Sequence, residues 1–167
     1  LDQSECGTSN DGEIIYALSP DPSGTINSNV RTANFVKTQV LRRAAHDLAH
    51  LVIDGRRLHV HGASSFLEAW LDEGLANLAE EEVFFTAAGL VPGSNVDIPT
   101  LAYLPTPRVR AYNTFMSESL SRWRTWLMAP ESEGVVGGTS IEAHSTTARF
   151  LRYALDRLGG DPSGVLG

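Results

Sequence analysis

The chain of 167 residues holds a single cysteine, Cys6, so no disulfide can close within it. With no Cys-x-x-Cys pair either, any metal site must be built from histidine and carboxylate. Long apolar runs are absent: none reaches the roughly 18 residues that a membrane-spanning helix needs. Basic residues are few, with 13 Lys and Arg against 20 Asp and Glu and a formal net charge of −7. A nucleic-acid surface and a polybasic membrane patch both need clustered Lys and Arg; the balance argues against nucleic acid as the main partner and gives no sign of a polybasic patch. The acidity is spread along the chain and reads as a solvated surface. No secretory signal opens the sequence, and no repeat or low-complexity tract interrupts it. The ends, Leu-Asp-Gln and Gly-Val-Leu-Gly, read as those of a piece of a longer chain. What is present is ordinary for one globular domain with a real core: 42% apolar and 20% charged residues.

Hydrophobic spacing predicts the organisation. Residues 1–12 read as loop. Glu13-Ile14-Ile15-Tyr16-Ala17-Leu18, bounded by Gly12 and Pro20, reads as a short buried strand, and 19–30 as loop. A helix follows over about 34–54, with apolar residues at three- and four-residue steps, Asn34 as N-cap and Asp54-Gly55 as its stop. Residues 56–65 read as a connection carrying His59 and His61, placed as exposed or cleft-lining and not as ligands. Further helices are predicted over about 65–88, ending at Gly89, over about 107–128, and over about 140–158. The Gly-rich stretch 130–139 reads as flexible. The predicted fold class is therefore α+β, mainly helical with a small β element near the N-terminus.

The chemistry centres on Ala45-His46-Asp47-Leu48-Ala49-His50. Two histidines four apart lie above one another on one helix face, so both imidazoles can converge on a tetrahedral ion. Zinc needs a third protein ligand and an open fourth position. The next helix offers Glu68, Asp72 and Glu73 in Ala69-Trp70-Leu71-Asp72-Glu73-Gly74-Leu75-Ala76. Asp72 and Glu73 are about 100° apart around the helix and cannot both face one metal. Glu73, flanked by Trp70, Ala69 and Ala76, lies on the inward side. Asn77, one turn later, is placed to hydrogen-bond a ligand histidine. Glu80, Glu81 and Glu82 read as a solvated acidic face. Trp123, Trp126, Phe115, Met116 and Leu120 read as core packing, and Arg108, Arg110 and Arg152 as surface charges.

His46-x-x-x-His50 followed by Trp70-Leu71-Asp72-Glu73-Gly74-Leu75-Ala76 resembles the gluzincin zinc peptidases, whose pattern is H-E-x-x-H, a spacer, then W-L-N-E-G-x-A. The likeness is closer to hyicolysin-like bacterial peptidases and related secreted or lipid-anchored proteins. In that group a segment like Gly12-Glu13-Ile14-Ile15-Tyr16…Pro20-Asp21-Pro22 precedes the metal helix, and one like Phe150-Leu151-Arg152-Tyr153 follows it. The resemblance covers most of residues 12–158. It implies a single zincin-like core over 1–167, Zn2+ held by His46, His50 and Glu73, an endopeptidase-class reaction on a peptide or protein, and a secreted or cell-envelope location. It also implies a donor to the oxyanion from a later helix; His144 is suitably downstream, with Tyr112 and Tyr103 as alternatives.

Two positions depart from the family pattern. Asp72 replaces the usual Asn and adds a charge beside the metal. Asp47 replaces the catalytic Glu that takes a proton from the attacking water and delivers it to the leaving amine. Its carboxylate is one methylene shorter, and a misplacement of roughly 1 Å can cost about a hundredfold. The sequence thus supports three expectations: a zinc peptidase with Asp47 as base and reduced activity; a pseudo-peptidase that binds metal as a structural or binding module; or a metal-free helical interaction domain.

Overall fold

The computed structural model describes residues 14–97, 99 and 106–158, and in them the chain is mainly helical. Five α-helices follow in order: α1 (Ala33–Gly55), α2 (Ala69–Ala88), α3 (Thr106–Ala111), α4 (Ser117–Leu127) and α5 (Ile141–Leu158). π-helical turns extend α1 over Arg56–Val60 and join α3 to α4 over Tyr112–Met116. The chain divides into two compact units within α1, between Ala44 and Ala45.

The α+β expectation is overturned. No strand occurs among the described residues; the one β feature is an isolated antiparallel bridge between Asp21 and Arg31. Residues 14–18 have strand-forming side chains, but the described residues offer no neighbouring strand to complete a ladder. Ile14, Tyr16 and Leu18 consequently stand half exposed or more. Strand propensity reports fit to a pleated, half-buried surface, and without that surface it decides nothing. The predicted loop over 1–12, residue 13 of the expected strand, and residues 98 and 100–105, with Cys6 and Tyr103 among them, lie outside the described residues.

In the first unit the loop after Pro20 is knotted around Asp21. Its carboxylate accepts from the Thr25 and Ile26 amides at 3.0 and 2.7 Å and from the Thr25 hydroxyl at 2.9 Å. Its backbone exchanges both hydrogen bonds with Arg31, at 2.8 and 2.9 Å. α1 then starts one residue earlier than expected, because Thr32, not Asn34, is the cap: its hydroxyl accepts from the Phe35 amide at 3.2 Å.

The second unit carries the rest. Gly55 does not stop α1. Its φ of −58° and ψ of −44° are right-handed helical, and the chain continues through the π-helical turn, closed by the His61 amide on the Arg56 carbonyl at 2.9 Å. His59 and His61 therefore sit on a helix end, exposed, and not on an extended connection. Residues 64–68 remain outside α2, and Glu68 occupies its N-cap position. Gly89, with φ +64°, ends α2 in the left-handed conformation as expected. The Gly-rich 130–139 segment is tied down by Glu133, whose carboxylate accepts from the Thr139 and Ser140 amides. With the Ser140 hydroxyl contact foremost, these bonds hold Glu133 down to about 2. Ser140 in turn caps α5, its hydroxyl accepting from the Ala143 amide at 3.0 Å.

Two apolar clusters organise this unit. Ala49 and Ile53 of α1 pack on Leu75 and Ala76 of α2, with Leu71 and Leu151 alongside. Phe84, Phe85 and Ala88 of α2 pack on Ala111, Phe115 and Met116. α2 and α5 approach closely where Gly74 meets Thr147; a Cβ at Gly74 would overlap that side chain. The glycine after Glu73 is thus a packing requirement, and it holds Glu73 between α1 and α5.

Candidate metal centre

His46 and His50 are one turn apart on α1, with ring centroids separated by 4.8 Å and planes at 78°. α2 runs antiparallel to this part of α1, so the earlier histidine meets the later acid and the later histidine the earlier one. His46 Nδ1 lies 3.0 Å from Glu80 Oε1. His50 Nδ1 lies 2.8 Å from Asp72 Oδ2. Both Nε2 atoms then turn to Glu73, at 3.3 Å from Oε2 for His46 and 3.8 Å from Oε1 for His50. One ligand atom from each of His46, His50 and Glu73 lies within 4.8 Å of the others, which makes this triad able to hold a metal ion.

Donor chemistry supports that fit. A neutral imidazole that gives its Nδ1 proton to a carboxylate presents a bare lone pair at Nε2. Here both Nε2 atoms would face the same Glu73 carboxylate, acceptor against acceptor. Positive charge must lie between them, either protons or a cation. Ligand atoms sharing a tetrahedral ion at about 2.0–2.1 Å stand roughly 3.4 Å apart. The observed 3.3 and 3.8 Å flank that value. A carboxylate behind each ligand imidazole is also the arrangement that fixes tautomer and ring orientation in metal sites.

Without metal the same geometry retains protons. Burial pulls His46 down, but hydrogen bonds and charge from Glu73 and Glu80 outweigh it and raise the imidazole to about 9. The Asp72 carboxylate, 2.8 Å from its Nδ1, raises His50 against the opposing effect of burial. The hydrogen bond from His46, with charge from His46, His50 and His144, draws the Glu73 carboxyl down against the opposing effect of burial. A histidine raised on folding stabilises the fold fully below its unfolded value near 6.5, and that stabilisation is lost as pH rises through the folded value. The metal-free protein is therefore expected to lose thermal stability between about pH 6.5 and 9.5, whereas added metal, which must displace these protons, stabilises more as pH rises. Melting curves of chelated protein across that range check this; a flat Tm would contradict it.

Asp47 is half-buried beside His46 and makes no hydrogen bond or ion pair with any described residue. His144, in the first turn of α5, stands at the edge of the cluster. Its Nδ1 is 3.8 Å from Glu73 Oε2, and its Nε2 is buried without a hydrogen-bond partner. Of the alternative donors, Tyr112 packs against the Phe84–Phe85 cluster. Glu68 stays outside the triad, accepting from the Trp70 indole at 2.7 Å. Asn77 does not reach a histidine; its amide donates to the Glu73 carbonyl at 2.8 Å. Arg108 donates to the Ala88 carbonyl at the end of α2, and Arg152 is held by carboxylates.

The solvated reading of the Glu80–Glu82 run is corrected. Glu80 and Glu81 are only 4% and 5% exposed. Glu81 pairs with Arg149 at 2.6 Å, and Glu82 with Arg152 at 2.9 Å. Glu80 follows Glu73 by seven residues, two helical turns, so both carboxylates lie on one stripe. That spacing was the available signal, masked by the two acidic residues that follow, Glu81 and Glu82. Replacing Glu80→Gln keeps the shape but removes the charge behind His46, and metal affinity is expected to fall about 10–100-fold. Competition titration against a chromogenic chelator measures it; unchanged affinity would leave Glu80 a packing residue.

No family model, curated protein or solved structure matches the chain.

Proposed function

We propose that the chain is a zinc-dependent hydrolase of the peptidase type, with His46, His50 and Glu73 as the metal ligands. The observation that carries the reading is the convergence of both Nε2 atoms on Glu73 while both Nδ1 atoms are backed by carboxylates. The donor set of two imidazoles and one carboxylate is that of zinc sites with an open position, and a zinc ion in such a site supplies Lewis acidity toward water and a carbonyl. In this assignment Asp47 accepts the proton of the attacking water and returns it to the leaving amine. His144 directs its ring at the rim of the cluster, where a donor stabilises negative charge developing on the substrate oxygen. Asp72 and Glu80 hold the ligand rings in orientation. The sequence resemblance to gluzincins supports peptide as the substrate class and an extracytoplasmic setting. Hydrolysis of a mixed peptide library by zinc-loaded protein, abolished by chelation and restored by zinc, tests the reading; a folded, zinc-loaded protein inert on every peptide would remove it.

The second reading is a pseudo-peptidase, in which the same centre stabilises a binding module. It is favoured by Asp47, whose short side chain engages nothing among the described residues. No helix among the described residues is long and apolar enough to cross a membrane, which neither reading requires.

A further inference from the structure

Away from the metal cluster, the second unit contains a cavity of about 410 Å³. It is lined by α2, α5, the segment Gly93–Val96, the π-helical turn and the start of α4. Its size falls within the range of small-molecule sites. The inner wall is the aromatic and aliphatic surface of Phe84, Phe85, Tyr112, Met116 and Leu120, continuous with the buried core. Tyr112 and Met116 come from the π-helical turn, a distortion that occurs frequently at functional sites.

The polar wall settles what the cavity can take. Among the described lining residues Arg152 is the cation, and its guanidinium is already shared. It stands 2.9 Å from Glu82, 3.2 Å from Asp156 and 3.7 Å from Glu81, and lies 5.8 Å from the Phe85 ring centroid. Arg149 adds a second pairing to Glu81 at 2.6 Å. Among the described residues three carboxylates thus surround two guanidinium groups, a formal excess of one negative charge beside the pocket. The Asp156 side chain, 56% exposed, still faces solvent. An anionic ligand would have to displace a carboxylate from Arg152. A cation finds the exposed part of the Asp156 carboxylate, whose Oδ1 Arg152 holds at 3.2 Å, and the aromatic side chains of the same lining, which attract cations to their faces.

We propose that this cavity binds a small organic cation, a primary amine carried on an apolar or aromatic body. The body fills the space beside Phe84, Tyr112 and Met116, and the ammonium meets Asp156 at the mouth. The site shares α2 with the metal centre but uses none of its ligands, so it stands apart from the hydrolase reading.

The chain contains two methionines, which makes the test direct. Met116 lines the cavity, and Met128, 81% exposed, serves as an internal control. The chelated 167-residue chain with labelled methyl groups is titrated with 2-phenylethylammonium, 2-phenylethanol and 3-phenylpropionate. The amine is expected to shift the Met116 methyl saturably, leave Met128 in place and bind tightest, with the carboxylate weakest. Asp156→Asn is expected to weaken the amine about threefold and leave the alcohol unchanged. Leu120→Trp, checked for helicity, is expected to fill the space and remove all three responses. The proposal is overturned if the carboxylate binds as well as the amine, if Asp156→Asn leaves the order and spacing of affinities intact, or if no ligand shifts Met116 in folded protein. Because metal is absent throughout, none of these results bears on the hydrolase reading.

Discussion

Metal-free protein titrated with Zn2+ is expected to take up one ion per chain, and His50→Ala to lose that uptake after dialysis. Structural zinc sites carry roughly 10–16 kcal/mol of apparent binding free energy, so losing one of three protein ligands costs roughly 10²–10³ in affinity or more. His50 is the informative ligand to remove. It is only partly buried, with a side-chain exposure of 24%, so truncation leaves a smaller void than at His46, which is 8% exposed. The variant also frees Asp72, whose carboxylate lies 2.8 Å from His50 and then faces a widened, hydrated space. Melting temperature supplies a second readout: zinc should raise Tm in the parent chain and leave the variant unmoved, because only a ligand that binds the folded state stabilises it. Equal zinc content in both proteins would move the site elsewhere. No zinc in either would mean that protons alone reconcile the facing acceptors, and the metal reading would fall.

Lengthening the base by one methylene is expected to have the second large effect. Asp47→Glu should raise the rate of peptide hydrolysis about a hundredfold, the scale of a 1 Å correction in the position of a catalytic group. The substitution carries little structural risk, because Asp47 makes no hydrogen bond or ion pair with a described residue and is only half-buried. kcat should rise with KM nearly unchanged, since a proton acceptor acts in the transition state and contributes little to ground-state binding. Zinc content should be the same in both proteins, so the gain reports reach and not occupancy. A variant that binds zinc and stays inert on a broad peptide panel would favour the pseudo-peptidase reading.

Which parts of this were legible beforehand follows from the kind of information each required. The helical spans were readable because apolar spacing is local. α2 ends at Gly89 and α5 spans nearly the expected residues. The histidine pair was readable for the same reason, since four residues on one helix fix a common face. The expected strand over 13–18 failed because a strand is a relation between segments, and the described residues provide no partner. The expected stop at Gly55 failed because glycine permits a left-handed turn but does not impose one. The role given to Asn77 failed because its amide found the nearer Glu73 carbonyl.

The sequence by itself determined that a metal site here must use histidine and carboxylate and that His46 and His50 share a face, and it singled out Glu73 as the acid of the next helix to set against them. Only tertiary structure decided that Asp72 and Glu80 stand behind the two imidazoles, that Glu81 and Glu82 bind Arg149 and Arg152, and that His144 reaches the rim. The reason is physical. Periodicity within one helix tells which side chains point the same way, whereas partners across helices depend on how far one helix has slid along the other. That slide is set by contacts such as Gly74 against Thr147, between residues far apart in the chain and silent about chemistry in the sequence.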